Sequence, residues 1–596
     1  MALYEWPTKH GVTRKDNITR FRIWAPDITL MSLQIQGEDP VPMQALDGGW
    51  HEYEHRIPPG TRYKFILPDG LAVPDPASRC QDGDVHGWSI VTDPGTYVWK
   101  HNEWKGRPWH EAILYELHPG AFGGFKGIVD YLPSLKAIGI TALELMPLAD
   151  FPGARNWGYD GVLPYAPDTA YGSPDDLKAL IDTAHGLGLM VYLDVVYNHF
   201  GPDGAYAHVY ARDFFDESKH TPWGAAIDFT RSEVQDYFVD NALYWLNEFR
   251  FDGLRFDATH AIEPQSFLPD MARLIRERIT PLDRHVHLML EHEGNVSHLL
   301  RPARNGAYYD AQWTDDFHHC LHVLLTGETE GYYEDFEDAT NLLARCLSDG
   351  FAYQGEVSRH SGQHRGHPAD GLPTTAFIIC LQNHDQIGNR AMGERLITLT
   401  DHDALRAATA LQILMPQIPL IYMGEEWESH TPFLFFTDHH DELADAVREG
   451  RRAEFKHFSA FQDPEKRKHI PDPNAETTFT RSIPDFTAAQ TQQGQDALAF
   501  RQMLLSLRHT LLLPRLAGTC STGVDILGQG ALLAQWKLGD GALMSIGVNL
   551  GTEPVPLPPI AGKAIFSTRD PSSNHTLLPV ATTALWFKEA SAEDVP

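Results

Sequence analysis

The sequence predicts a (β/α)8 TIM barrel with an N-terminal β-sandwich and a C-terminal β-sandwich domain. Three observations carry this reading. Between residues 113 and 423, eight short apolar runs alternate with helical patterns. The first hundred residues hold short aromatic-rich runs punctuated by Pro, Gly and Asp. From about Leu513, short alternating runs return between Gly and Pro turns. An open doubly wound sheet is the second choice for the centre. The expected domains are 1–100, 108–500 and 510–596.

In the front domain the runs are 21–26, 31–35, 50–54 and 63–67, and the Pro-, Gly- and Asp-rich stretch 74–88 reads as loop. The expected barrel strands are 113–118, 141–147, 189–194, 253–257, 287–291, 311–313, 377–381 and 418–423. Between the first two, Ile128, Tyr131, Leu132, Leu135 and Ile138 fall at helical spacing. Residues 175–187 and 233–249 give further amphipathic helices, and the polar stretch 471–495 reads as a long surface loop. In the tail, 531–536 and 542–548 are the clearest strands.

Composition narrows the function. The 596 residues are 42% hydrophobic and 21% charged, a globular balance. A net charge of −32 repels nucleic acid and anionic lipid, so a neutral or polar substrate is favoured and no nucleic-acid or membrane partner is expected. The five cysteines are scattered and lack C-x-x-C spacing, which argues against a disulfide framework and a zinc site. No run approaches the ~20 apolar residues needed to span a bilayer. A soluble cytoplasmic protein is expected.

Several strand ends carry acids. In a barrel, residues at strand C-termini point into the site, and Asp194, Asp257 and Glu291 occupy such ends. Hydrolysing an acetal needs one group to protonate the departing oxygen and another to trap the oxocarbenium-like carbon. Asp257 is placed to be the nucleophile. Arg255, two positions earlier on the same face, would keep it ionised and aimed. Glu291 closes an apolar run that would raise its pKa and keep it protonated for acid work; Glu293 is its rival. Asp385, beside His384 and Gln386, could grip substrate hydroxyls, with Asp194 and His199 on the opposite wall. Trp157 and Tyr159 could stack on sugar faces, with buried packing as the alternative for Trp157. Residues 312–319, which include Asp315, Asp316, Phe317, His318 and His319, read as a polar substrate loop, and 423–427 as a similar loop or its support.

D-V-V-Y-N-H (194–199), G-L-R-F-D (253–257), the Glu closing H-L-M-L-E (287–291) and Q-N-H-D (382–385) resemble, in order, the four signature regions of the α-amylase family of glycoside hydrolases. The resemblance implies Asp257 as nucleophile, Glu291 as general acid/base and Asp385 as transition-state stabiliser, with retention through a covalent glycosyl-enzyme. The front β-domain, Q-W-T-D-D-F-H-H, N-H-D-Q-I-G-N-R and M-G-E-E-W look like the trehalose-releasing branch of that family. That branch cuts the α-1,4 bond beside the terminal trehalose unit of maltooligosyltrehalose. It implies substrate contacts from 255–260, 315–319 and 384–389, thus from Arg255, His260, His384, Gln386 and Asn389 among others. It also implies functional coupling to a maltooligosyltrehalose synthase. Some relatives bind calcium through the first signature region. No cage of oxygen ligands is visible here, so no metal and no other cofactor is expected. A glucan branching enzyme and an inactive glycan-binding scaffold are the competing readings.

Overall fold

The computed structural model describes residues 8–15, 17–221, 224–303, 306–569 and 576–590. Eight parallel strands close into a barrel in chain order: Leu114–Leu117, Ala142–Leu145, Met190–Val195, Gly253–Phe256, His287–Leu290, Ala311–Trp313, Phe377–Cys380 and Ile418–Tyr422. Each expected run supplies one strand, with bounds shifted by at most two residues, and the doubly wound alternative is set aside by the pairing of the last strand with the first.

Strand alternation divides these residues between two cores. Tyr115, Leu117, Leu143, Leu145, Val191, Leu193, Leu254, Phe256, Leu288 and Leu290 face outward and join the large core beneath the helices. Leu114, Ala142, Met190, Tyr192, Met289, Ala311, Ile378 and Leu420 face inward and fill the lumen as a separate apolar cluster. The helix Gly124–Ile138 buries Phe125, Ile128, Leu132, Leu135 and Ile138, the stripe legible in its spacing. Pro174–Gly186 starts at a capping box between Ser173 and Asp176.

The front of the chain forms two antiparallel sheets. One contains Ile18–Trp24 and Trp50–His55; the other contains Ser32–Ile35 and Arg62–Ile66. Phe21, Ile23, Leu33, Tyr63 and Phe65 are buried in their shared core. The C-terminal sheet has five strands, Cys520–Gly528, Ala531–Lys537, Leu543–Asn549, Lys563–Ser567 and Thr582–Lys588. It docks on barrel helices through Thr583 Oγ1, which donates to the Ala407 carbonyl at 2.7 Å, and Gly530 N–H, which donates to Thr340 Oγ1 at 2.9 Å. No helix among the described residues is long and apolar enough to cross a membrane.

Two expectations are corrected. The stretch 471–495 is not a free surface loop. Phe479 packs on Phe436, Phe486 packs on Phe122 and Trp427, and the Ser482 hydroxyl accepts the Leu434 N–H at 3.0 Å. Its few aromatics are anchors, which a polar average conceals. Nor is 312–319 a loop. Ala311–Trp313 is the sixth barrel strand and Asp315–Thr326 is a helix, because Phe317, Cys320 and Leu321 share one buried face at helical spacing.

Candidate active site

At the strand C-termini the lumen changes from apolar to ionic. Two residues beyond Leu114, Ala142, Tyr192 and Met289 stand Glu116, Glu144, Asp194 and Glu291. Arg255, fully buried on the fourth strand, is their central cation. Its Nη1 donates to Asp194 Oδ2 at 2.5 Å and to Asp257 Oδ1 at 2.8 Å, and Nη2 lies 3.0 Å from Glu291 Oε2. Its guanidinium rests 4.3 Å above the Trp313 ring, which shields it from water. One guanidinium thus gathers three carboxylates from three strands.

Immediately after Asp257 the chain turns through Ala258 at φ 39°, ψ 48°, a left-handed conformation that costs a residue with a Cβ about 1 kcal/mol or more. The turn aims the Ala258 N–H at Glu291 Oε2, 2.6 Å away. On the seventh strand side, the Asn383 side chain caps a short helix by accepting the Gln386 N–H at 2.8 Å, which sets His384 and Asp385 in its first turn.

Above this floor lies a cavity of about 840 Å³. Of the residues expected from sequence, it is lined by His260, Glu291, its rival Glu293, Asp315, His319, Asp385, Gln386 and Asn389. Asp257 retains 8% exposure on the Arg255 floor. The remainder lie beneath or behind. Asp194 is buried between Arg255 and the Tyr159 hydroxyl, which donates to it at 2.7 Å. His199 braces the Tyr159 carbonyl at 2.8 Å. Trp157 is buried, stacked on Phe433 at 5.2 Å and tied by its indole N–H to the Leu434 carbonyl, so it takes the packing alternative. Asp316 points away from the cavity and accepts from Asn295 Nδ2, the Ala352 and Tyr353 N–H groups and Arg365. Phe317 is wholly buried, and His318 Nδ1 hydrogen-bonds the Leu381 carbonyl at 2.5 Å. A helix presents only one face, so 315–319 splits between cavity and core.

The electrostatics overturn two expectations. Burial pushes the Asp257 carboxyl well above its usual range; Arg255 opposes this, while Glu291, Asp194 and Asp385 add to it by repulsion. Burial also raises Glu291, but Arg255, the Ala258 N–H, His260 and His384 outweigh it and hold Glu291 below its usual value. The apolar run before Glu291 does not set its pKa, because those side chains lie below and outside while its carboxyl meets a cation and a donor. The Asp257 and Glu291 carboxyls share Arg255 and titrate together. Asp315 is pushed up to about 7 by burial and by Glu291 and Asp385.

Sequence reasoning passed over several members of this site. Glu116 and Glu144 obey the same inward i+2 rule as Asp194 and could have been found by it. The segment 423–427, read from sequence as a loop or its support, takes the second role: Glu425 accepts from Gln382 Nε2 at 2.5 Å and Glu426 from the Tyr115 hydroxyl at 2.5 Å. The outer cavity wall brings Glu328, Tyr332, Arg365, Arg390, Phe458 and Phe461 from three long connections. Nothing periodic marks those residues.

Comparison with known proteins places this geometry. Residues 77–226 match the model described as "Alpha amylase, catalytic domain", and residues 521–586 match "Domain of unknown function (DUF3459)". The malto-oligosyltrehalose trehalohydrolase of Deinococcus radiodurans is 40% identical over 87% of this chain and 88% of that protein. Its namesake from Saccharolobus solfataricus is 38% identical over 83% of this chain and 85% of that protein. The 1,4-alpha-glucan branching enzyme GlgB of Rhodospirillum rubrum is 32% identical, but over 43% of this chain and 40% of its own length. A Salmonella typhimurium crystal structure superposes with a TM-score of 0.92 at 41% identity, covering 98% of this chain and all (100%) of the other.

Proposed function

The chain belongs to the malto-oligosyltrehalose trehalohydrolases of the α-amylase family, and from this premise we propose that it hydrolyses the α-1,4 bond beside the terminal trehalose unit of maltooligosyltrehalose. The observation that carries the reading is the clamp of Asp257 and Glu291 on one guanidinium under a cavity that Asp385 also lines. Sharing Arg255 limits the separation of the two carboxyls to the span of one side chain, as a double displacement with retention requires. Asp257 attacks the anomeric carbon and forms the glycosyl-enzyme. Glu291 protonates the departing trehalose oxygen, then takes a proton from the incoming water. Asp385 faces the ring as positive charge develops there.

The acid role needs a proton on Glu291. Carboxyls this close titrate as a set, so the proton belongs to the cluster. Saccharide hydroxyls donating to Asp257 would stabilise its anion and shift the proton to Glu291. Activity then falls at high pH, when the cluster loses that one proton.

Near-full-length similarity to trehalohydrolases, against a partial match to the branching enzyme, favours hydrolysis over branching. The binder reading lacks any use for a nucleophile–acid pair. We propose that a maltooligosyltrehalose synthase acts upstream in the cytoplasm and supplies the substrate as its product. The deciding experiment is product analysis after incubation with maltooligosyltrehalose and with plain maltooligosaccharide. Free trehalose from the first is the expected result; transfer to α-1,6 branches, or no cleavage, would reject it.

A further inference from the structure

Glu116 lies on the first barrel strand, 1% exposed and outside the cavity. Its carboxylate grips His384 at two points. Oε2 accepts the His384 backbone N–H at 3.1 Å, and Oε1 hydrogen-bonds Nδ1. The other ring nitrogen, Nε2, is 2.7 Å from the Tyr159 hydroxyl oxygen and 3.4 Å from Asp385 Oδ1. Tyr159 commits its own proton to Asp194 Oδ2 at 2.7 Å, so its oxygen receives from Nε2–H. Nδ1 against a carboxylate must also carry hydrogen. Both ring nitrogens are therefore donors, and His384 is an imidazolium.

We propose that Glu116 is a positioning residue for the glycosidic reaction: it holds His384 doubly protonated, with Nε2–H fixed between Tyr159 and Asp385. The consequence is a charged donor beside Asp385, opposing the rise that burial imposes on that carboxyl where positive charge must develop. The charges facing His384 agree with this. Glu116 and Asp385 are in contact, Glu144, Asp194 and Glu291 also face it from the second, third and fifth strands, and Arg255 and His118 oppose them. Burial by itself would depress the ring, yet the acids hold it at about 9. The inference rests on the proposed roles of Asp257, Glu291 and Asp385.

The test is Glu116→Gln, with Glu116→Asp as a partner that keeps the charge, both checked by thermal melting. The readout is the wild-type to variant ratio of kcat across pH, which cancels the titration of the Asp257–Glu291 cluster. Without the carboxylate, His384 returns toward its ordinary pKa. The ratio should then climb close to tenfold per pH unit between about 6.5 and 9. Glu116→Asp should show a smaller rise of the same sign, and serves alone if the amide variant does not fold. In a His384→Gln background, Glu116→Gln should add little, because the two act as one unit. A ratio flat with pH, or full additivity with His384→Gln, would overturn the proposal. The ratio is read on whichever α-1,4-glucan the wild type cleaves. A wild type that releases no trehalose thus rejects the substrate assignment alone, and an active Asp257→Ala rejects the site assignment alone.

Discussion

The lower and upper halves of the barrel lumen share the same strands, yet they do opposite work. Below, Leu114, Ala142, Met190, Met289, Ile378 and Ile418 interlock, and Trp104 and Trp109 pack against them from the strand N-termini. Each large side chain there stabilises the fold by about 1.5–3 kcal/mol. One inward step higher stand Glu116, Glu144, Asp194, Arg255 and Glu291. Dehydrating those charges is costly, and their mutual pairing only offsets the loss. Glu144 makes the point most sharply. It is 1% exposed, neither carboxylate oxygen has a hydrogen-bond partner among the described residues, and burial with repulsion from Glu116 raises its pKa well above the usual range. The lower half supplies the rigidity that lets the upper half concentrate like charges against a cavity.

If that division is real, substitutions should sort by layer. Asp257→Ala should give the largest effect: a loss of about three or more orders of magnitude in kcat with melting unchanged or raised, since one repelling carboxyl has gone. A marked drop in melting temperature with residual activity would break the comparison. Arg255→Met should come next. Removing the shared cation leaves acids buried without it, at a cost of about 3–5 kcal/mol in denaturant unfolding. The acids left behind would have folded pKa values above their unfolded ones. Their contribution to stability is then greatest at low pH and is lost as pH rises through the folded values. The deficit should therefore be smaller at acid pH than at neutral pH.

Met289→Ala, in the lower layer, should cost about 2–5 kcal/mol while kcat stays close to wild type. A large kcat loss at unchanged stability would show that the lower layer also tunes the chemistry. Glu144→Gln should be mildest, within about 1 kcal/mol at neutral pH, because neither carboxylate oxygen has a hydrogen-bond partner to lose among the described residues. With its folded pKa raised, Glu144 favours the fold at low pH and loses that contribution as pH rises, so the amide should compare best with wild type in alkali. A large loss at neutral pH would show that the Glu144 charge supports the ionic layer.

The legibility of the molecule follows from the range of the forces involved. Strand alternation is local, so the eight strands and the inward acids Asp194, Asp257 and Glu291 could be read from spacing. The same rule held Glu116 and Glu144, had it been applied to every strand. Helical spacing likewise marked the helix Gly124–Ile138, yet short apolar spacing inside 315–326 was masked by its acids and histidines.

What the chain order by itself determined is the barrel, the two flanking β-regions and the face on which the acids collect, because backbone periodicity is set by neighbours one to four residues apart. What only the tertiary structure decided is the charge state of that face and the shape of its wall. Glu116 and His384 are 268 positions apart, and Glu291 meets Arg255 only because adjacent strands are in parallel register. Burial and charge act through space on sums over such partners, and no local pattern in the chain contains those sums.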